Sequence, residues 1–140
     1  MRIIWLGLGD ILALLIFVWI GRRNHALSVI DGFAILQTVA PFVLSWFLVT
    51  PWFGLFQTTV SLSWRKLLPR LLLAWVFIGG PLGLVLRNIF LDRPPVSGII
   101  PSFALITLSI TTIFLIGWRL GYIWWHKHQQ LHQNHITKGM

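Results

Sequence analysis

Few residues of this chain could do chemistry, and the most unusual are charged side chains inside apolar runs. Asp10 lies seven residues into the run that begins at Ile3, and Arg119 lies near the end of another run. A charge at mid-membrane depth costs about 2.5–3.5 kcal/mol on insertion scales, so each side chain should face protein or water rather than lipid. The helix around Asp10 has no basic residue three or four positions away. Its partner therefore comes from another helix, or Asp10 is protonated.

Depth in the membrane selects Arg119 as the partner of Asp10. At the helical rise, Asp10 lies roughly 10 Å from the start of its run, and Arg119 lies roughly 6 Å from Ile123 at the end of the last run. These two levels are close if the two runs are antiparallel. The pair has two interpretations: a structural clamp between helices, or a site for a substrate, proton or ion.

A second group of charges is expected near the opposite membrane surface. The segment "IGRRNH", Ile20–His25, ends the first apolar run, and Arg87 reaches the same level from the third. The residues at this level are Arg22, Arg23, His25, Arg87 and Arg93, with the acidic Asp31 and Asp92. Because guanidinium groups bind phosphate and carboxylate in paired hydrogen bonds, the cluster of Arg22, Arg23, His25 and Arg87 predicts an anion or lipid-headgroup site. Anchoring at the membrane interface is the alternative.

The third apolar run contains helix breakers near its middle. "GGPLG" places Gly79, Gly80, Pro81 and Gly83 together. Proline removes a backbone donor and clashes with the preceding turn, and interrupted helices form binding sites in many transporters. The pattern therefore predicts a helix break that either binds a ligand or is a packing kink.

The polar end of the chain carries three histidines at helical spacing. His128, His132 and His135 are four and three residues apart, so a helix would align them on one face. Neutral imidazoles at this spacing can bind a divalent metal, but no carboxylate or cysteine joins them. A solvated tail is the favoured interpretation, and we predict no metal site and no cofactor.

These residues must be positioned by membrane helices. The 140 residues are 56% hydrophobic and only 10% charged, which is too apolar for a soluble chain of this length. Runs of roughly 20 apolar residues are long enough to cross the membrane as helices. The predicted spans are Ile3–Gly21, Val29–Val49, Leu71–Leu91 and Ile99–Ile123. We predict an all-α membrane protein: a small bundle of four transmembrane helices in residues 1–125, with an interfacial segment at 51–70 and a polar tail at 126–140.

Lysine and arginine in the connections predict the orientation. Seven basic residues lie on the side of both termini and four on the other side, so we expect cytoplasmic termini. The net charge of +8 comes mainly from residues that flank apolar runs, which indicates contact with anionic lipids rather than nucleic acid.

Four segments carry a resemblance to a known family. They are "DILALLIFVWIGRRNH" (Asp10–His25), "PFVLSWFL" (Pro41–Leu48), "GGPLGLVLR" (Gly79–Arg87) and "FLIGWRLG" (Phe114–Gly121). The chain resembles a family of small bacterial membrane proteins without assigned function, domain of unknown function number three thousand and fifty-four. The resemblance covers most of the chain and implies the architecture, but no activity. It also implies a bacterial cell (inner) membrane as the location, or a thylakoid membrane if the source is photosynthetic. Its motif residues fall on Asp10, Arg22, Arg23, His25, Arg87 and Arg119.

Three classes of function are compatible with these features. The favoured one is a non-catalytic membrane protein that binds lipid, a partner subunit or a second copy of itself. The alternative is a small transporter or channel that uses Asp10 and the broken third helix. Because four helices enclose little space, such a transporter would have to be an oligomer. An enzyme is least favoured, because the sequence shows no catalytic constellation of residues.

Overall fold

The chain is almost entirely helical. The computed structural model describes the backbone of residues 2–24 and 31–138 and the side chains of residues 3–23 and 31–130. Within these ranges the chain forms helices and turns, with no strand. The helices are α1 (Arg2–Asn24), α2 (Gly32–Val49), α3 (Thr58–Ser61), α4 (Trp64–Leu72), α5 (Gly80–Phe90) and α6 (Pro101–Lys138). A π-helical segment, Leu73–Gly79, joins α4 to α5.

Four helices are long and apolar enough to cross a membrane. They are Ile3–Arg23, Gly32–Val49, Trp64–Phe90 and Pro101–Gln130. Their outer surfaces are apolar: Phe77 and Ile113 expose 71% and 68% of their area. Apolar surface spread around a bundle in this way is compatible with lipid and not with water. The chain is therefore a multi-pass membrane protein, and the predicted all-α membrane fold is confirmed.

The third membrane helix begins earlier than predicted. It begins at Trp64 rather than at Leu71, because α4 continues into the π segment and α5 without a gap. The connection after α2 is correspondingly shorter than residues 51–70. Turns follow Val49, and Gly54 adopts a φ of +61°, a conformation that costs little without a Cβ.

The four long helices form a closed arrangement. Helix α1 contacts α2 and α6, and the third membrane helix contacts the same two. At the centre, the rings of Trp46 and Trp75 meet edge to face with centroids 5.4 Å apart. The indole N–H of Trp75 donates to Thr111 Oγ1 over 2.8 Å, which links the third helix to α6.

The predicted break in the third helix is not an interruption of the helix. The π segment reaches Gly80, whose N–H bonds to the carbonyl of Trp75 five residues earlier, and α5 continues from there through Pro81. A π turn is a common way for a helix to accommodate such a residue. The expectation of a broken third helix is therefore corrected. Helix α2 likewise continues through Pro41.

The glycines of "GGPLG" bring neighbouring helices close together. A Cβ on Gly83 would lie 2.7 Å from Cδ1 of Phe42 and 2.9 Å from Oγ of Ser45, both on α2. A Cβ on Gly80 would lie 2.0 Å from Cδ2 of Leu108 on α6. A Cβ at either position would clash with these atoms. The absence of a side chain at Gly80 and Gly83 therefore allows α5 to pack closely against α2 and α6.

The polar end of the chain continues the last helix. The backbone of α6 is helical from Pro101 to Lys138, across the predicted start of the tail at residue 126. His128 is exposed, whereas the side chains of His132 and His135 lie outside the described residues. Among the described side chains, no group of three His, Cys, Asp or Glu residues could hold a metal ion.

Candidate functional site

The structure brings Asp10 and Arg119 together in the interior of the bundle. Arg119 Nε donates to Asp10 Oδ1 over 2.9 Å, and Nη2 donates to Oδ2 over 2.5 Å. Both side chains are fully buried. The two parallel bonds are the bidentate geometry in which arginine binds carboxylate most strongly.

Three further residues complete this ion-pair cluster. The indole N–H of Trp46 on α2 donates to Asp10 Oδ2 over 3.0 Å. Arg119 Nη1 donates to the backbone carbonyl of Leu55 over 2.9 Å, and the guanidinium carbon lies 5.2 Å from the centre of the Phe56 ring. The ion-pair cluster of Asp10, Arg119, Trp46, Leu55 and Phe56 therefore joins α1, α2, α6 and the turn after α2.

A glycine beside the pair allows α1 and α6 to approach closely. A Cβ on Gly9 would lie 1.9 Å from ring atoms of Trp118. Gly9 precedes Asp10 in the sequence, and Trp118 precedes Arg119. The contact of ring and backbone thus brings the two helices together where the charges must meet.

The outer basic residues separate into two sets. Arg22 and Arg87 are half-buried and line one cavity of about 450 Å³ between α1, α2, α5 and α6. Arg22 Nη1 donates to the carbonyl of Ala34 over 3.4 Å, and the Arg87 guanidinium lies 4.7 Å from the centre of the Phe103 ring. We call this space the arginine cavity. Its remaining walls are largely apolar and include Phe17, Phe42, Ile106, Ile110 and Phe114.

The other residues of the predicted outer cluster lie elsewhere. Arg23 is exposed and lies over the ring of Trp19, 5.6 Å from its centre, and His25 lies outside the described residues. Asp31 caps α2, because its Oδ1 accepts from the backbone N–H of Phe33 and Ala34 over 3.1 and 3.2 Å. Asp31 is thus the N-cap of α2 rather than part of a cluster with the outer arginines.

Comparison with known proteins decides the family. The family described as "Protein of unknown function (DUF3054)" matches residues 7–122. The chain belongs to the DUF3054 family. The resemblance read from the sequence is therefore confirmed, and the match includes Asp10, Arg22, Arg87 and Arg119. No curated protein and no solved structure matches the chain.

The DUF3054 family has no assigned function, so the chemistry that each site can perform is inferred from its geometry. In the ion-pair cluster, both oxygens of Asp10 accept hydrogen bonds and Arg119 makes three. A buried pair bonded in this way is suited to holding one helix arrangement, because separating the two side chains would leave two buried charges unpaired. The arginine cavity instead presents two cations to an apolar space, which suits a ligand with an anionic head and an apolar body.

Sequence reasoning overlooked Trp46 and Leu55. The position of Trp46 could have been inferred from its depth in the membrane. Gly32 and Arg23 lie at the connected ends of α2 and α1, and Trp46 and Asp10 lie about 21 and 20 Å from them along their helices. The two residues therefore share one level in a pair of antiparallel helices. Leu55 had no such signal, because it contributes a backbone carbonyl that any residue carries.

Proposed function

We propose that this DUF3054 protein is a non-catalytic membrane protein that binds an anionic lipid in the arginine cavity. The observation that carries the proposal is the position of Arg22 and Arg87 on the wall of a single, otherwise largely apolar cavity. An anionic lipid has the complementary shape and charge, with a phosphate for the guanidinium groups and hydrocarbon for the apolar walls. A volume of about 450 Å³ is within the usual range of ligand pockets.

The surroundings of the two arginines support a binding role. Arg87 is held by a ring rather than by a carboxylate, because its guanidinium lies over Phe103. Arg22 makes a long hydrogen bond to a carbonyl oxygen, 3.4 Å from donor to acceptor. The contact with Phe103 does not neutralise the positive charge of Arg87, so this wall of the cavity attracts an anion. Ser102 also lines the cavity, and its hydroxyl group can donate a further hydrogen bond to a headgroup.

Transport through Asp10 is less well supported. Asp10 does not line the arginine cavity. It also does not line the apolar groove between α1 and α6 whose walls include Gly9 and Trp118. Both of its oxygens already accept hydrogen bonds from Arg119 and Trp46. A transported ion would have to displace these donors, which favours the structural role of the pair.

The proposal includes a location and an orientation. Arg119 is buried in the ion pair, so it is not counted among the basic residues that flank the membrane. Six basic residues then lie on the side of the termini and four on the other side. This bias supports cytoplasmic termini in a bacterial cell membrane. Reporters fused after Lys138 and inserted near Pro95 should lie in the cytoplasm and outside it, respectively; the reverse result would overturn the orientation.

The test of lipid binding replaces arginine by lysine, which keeps the charge but removes the fork. Native mass spectrometry of the protein in nanodiscs that contain phosphatidylglycerol reports bound lipid and the number of subunits. The double variant Arg22→Lys/Arg87→Lys should retain at least about tenfold less anionic lipid, because charge-assisted hydrogen bonds contribute about 1.5–3 kcal/mol each.

The matched control is Arg23→Lys, because Arg23 is a neighbouring arginine that does not line the cavity. This variant should retain lipid as the unchanged protein does. Equal retention in the double variant and the control would overturn the lipid site. A second copy or a partner subunit retained in place of lipid would indicate the other kind of binding.

A further inference from the structure

We infer that the ligand of the arginine cavity is a long-chain phosphate amphiphile whose tail runs between α1 and α6 toward the ion-pair cluster. The inference rests on the proposed function, because it extends the same site. It adds a path for the tail and therefore a selection by chain length.

A second apolar space lies next to the arginine cavity along α1 and α6. This space, the seam groove, has a volume of about 280 Å³ and is lined by residues of α1 and α6 alone. Its walls include Gly9, Leu12, Ala13, Ile113, Gly117 and Trp118. Phe114 lines both spaces, so its side chain lies between them and a tail would pass from one to the other beside this ring.

The two spaces together have the length and polarity of an extended amphiphile. From Arg22 to Gly9 the path along α1 is about 20 Å at the helical rise, which exceeds the roughly 15 Å of one leaflet's share of the hydrocarbon core. Charged groups lie at one end only, where Arg22 and Arg87 line the cavity. At the other end the Trp118 ring lies against Gly9, which ends the path beside the ion pair.

Two glycines of α6 allow a controlled test of this path. A Cβ on Gly117 or on Gly121 would meet no atom within 4 Å, so larger side chains at either position fit the fold. Gly117 lines the seam groove, whereas Gly121 lines neither space. Gly117→Leu should therefore fill the groove, and Gly121→Leu changes the same helix without filling it. Leu12→Trp narrows the groove from the opposite wall as a second variant.

The experiment measures binding of octyl and hexadecyl phosphate in nanodiscs of phosphatidylcholine by native mass spectrometry. Gly117→Leu and Leu12→Trp should lower retention of hexadecyl phosphate by about fivefold or more, since overpacked contacts weaken binding on this scale. Retention of octyl phosphate should not change, because a short tail ends inside the arginine cavity. Gly121→Leu should retain both compounds as the unchanged protein does.

The outcomes distinguish the tail path from the headgroup site. Hexadecyl phosphate retained equally by Gly117→Leu, Leu12→Trp and the unchanged protein would overturn the tail path. An equal loss in Gly121→Leu would overturn it as well. In both cases the headgroup site stands if the double variant Arg22→Lys/Arg87→Lys releases both compounds. If the unchanged protein binds neither compound, the proposed function itself fails.

Discussion

The ion-pair cluster and the arginine cavity use the same side chain in opposite ways. Arg119 is fully buried, makes two hydrogen bonds to Asp10 and one to the carbonyl of Leu55. Arg87 is half-buried, lies over the ring of Phe103 and faces an apolar cavity. A guanidinium paired with a buried carboxylate is suited to joining helices, whereas one that lines a cavity is suited to binding a ligand.

The physical difference lies in what happens to the charge. Two buried charges that pair with good geometry offset much of their desolvation cost, but removal of one leaves the other strongly unfavourable. A half-buried arginine keeps part of its hydration and is less costly to leave without a carboxylate. The first arrangement should therefore be sensitive to mutation in stability, and the second in binding.

The largest effect is expected for Asp10→Ala. This change leaves the buried Arg119 without its carboxylate and should lower the free energy of unfolding by about 3–5 kcal/mol. The double variant Asp10→Ala/Arg119→Leu should recover part of the loss, because no unpaired charge is then buried. Denaturant unfolding in detergent measures both. The single variant Arg119→Leu is measured as well. If the loss in the double variant equals the sum of the losses in the two single variants, the pair is not energetically coupled.

Arg119→Lys comes next and tests the fork. A lysine keeps the charge but cannot make two parallel bonds to Asp10 and reach the carbonyl of Leu55 at the same time. We expect a loss of about 3 kcal/mol in the same unfolding measurement, since charge-assisted hydrogen bonds contribute about 1.5–3 kcal/mol each. A loss below about 1 kcal/mol would mean that charge alone, without the fork geometry, stabilises the cluster.

Trp46→Phe should have an intermediate effect. It removes the indole donor to Asp10 Oδ2, a bond to a charged acceptor, and should cost about 1.5–3 kcal/mol. The matched control is Trp75→Phe, which removes a bond to the neutral hydroxyl of Thr111 and should cost about 0.5–1.5 kcal/mol through that bond. A larger loss in unfolding free energy for Trp75→Phe would contradict the central role of the carboxylate.

Arg87→Lys should have the smallest effect on stability. Without anionic lipid in the detergent, we expect a change of less than about 1 kcal/mol, because the contact with Phe103 is a cation–π interaction that lysine also makes. The comparison with Arg119→Lys uses the same substitution in the same unfolding measurement. Equal losses at both positions would remove the distinction between the two regions.

Much of the candidate site could be predicted from spacing along helices. Asp10 and Arg119 were expected to pair because depth follows from counting residues at a constant rise. The shared level of Arg22 and Arg87 followed in the same way. Counting does not give the direction in which a side chain points around the bundle, and so Arg23 was grouped with the residues of the arginine cavity, although it lies over Trp19.

Other features could not be read from residue types. The "GGPLG" segment predicted a helix break, but the π segment before Pro81 lets the helix continue. The start of the third membrane helix was misplaced, because polar residues at Trp64–Leu72 resemble a surface segment. Whether such a segment joins the following helix depends on what it packs against, and α4 contacts α6 and the π segment.

The amino-acid sequence by itself determined that this protein is a bundle of four membrane helices with two charged levels. Apolar run length and the cost of charge in lipid are local properties, so they can be read along the chain. Only the tertiary structure shows that the carbonyl oxygen of Leu55 accepts a hydrogen bond from Arg119 and that Arg22 and Arg87 line one cavity. These relations depend on the rotation and approach of helices far apart in sequence, which packing at glycines such as Gly9 and Gly83 establishes.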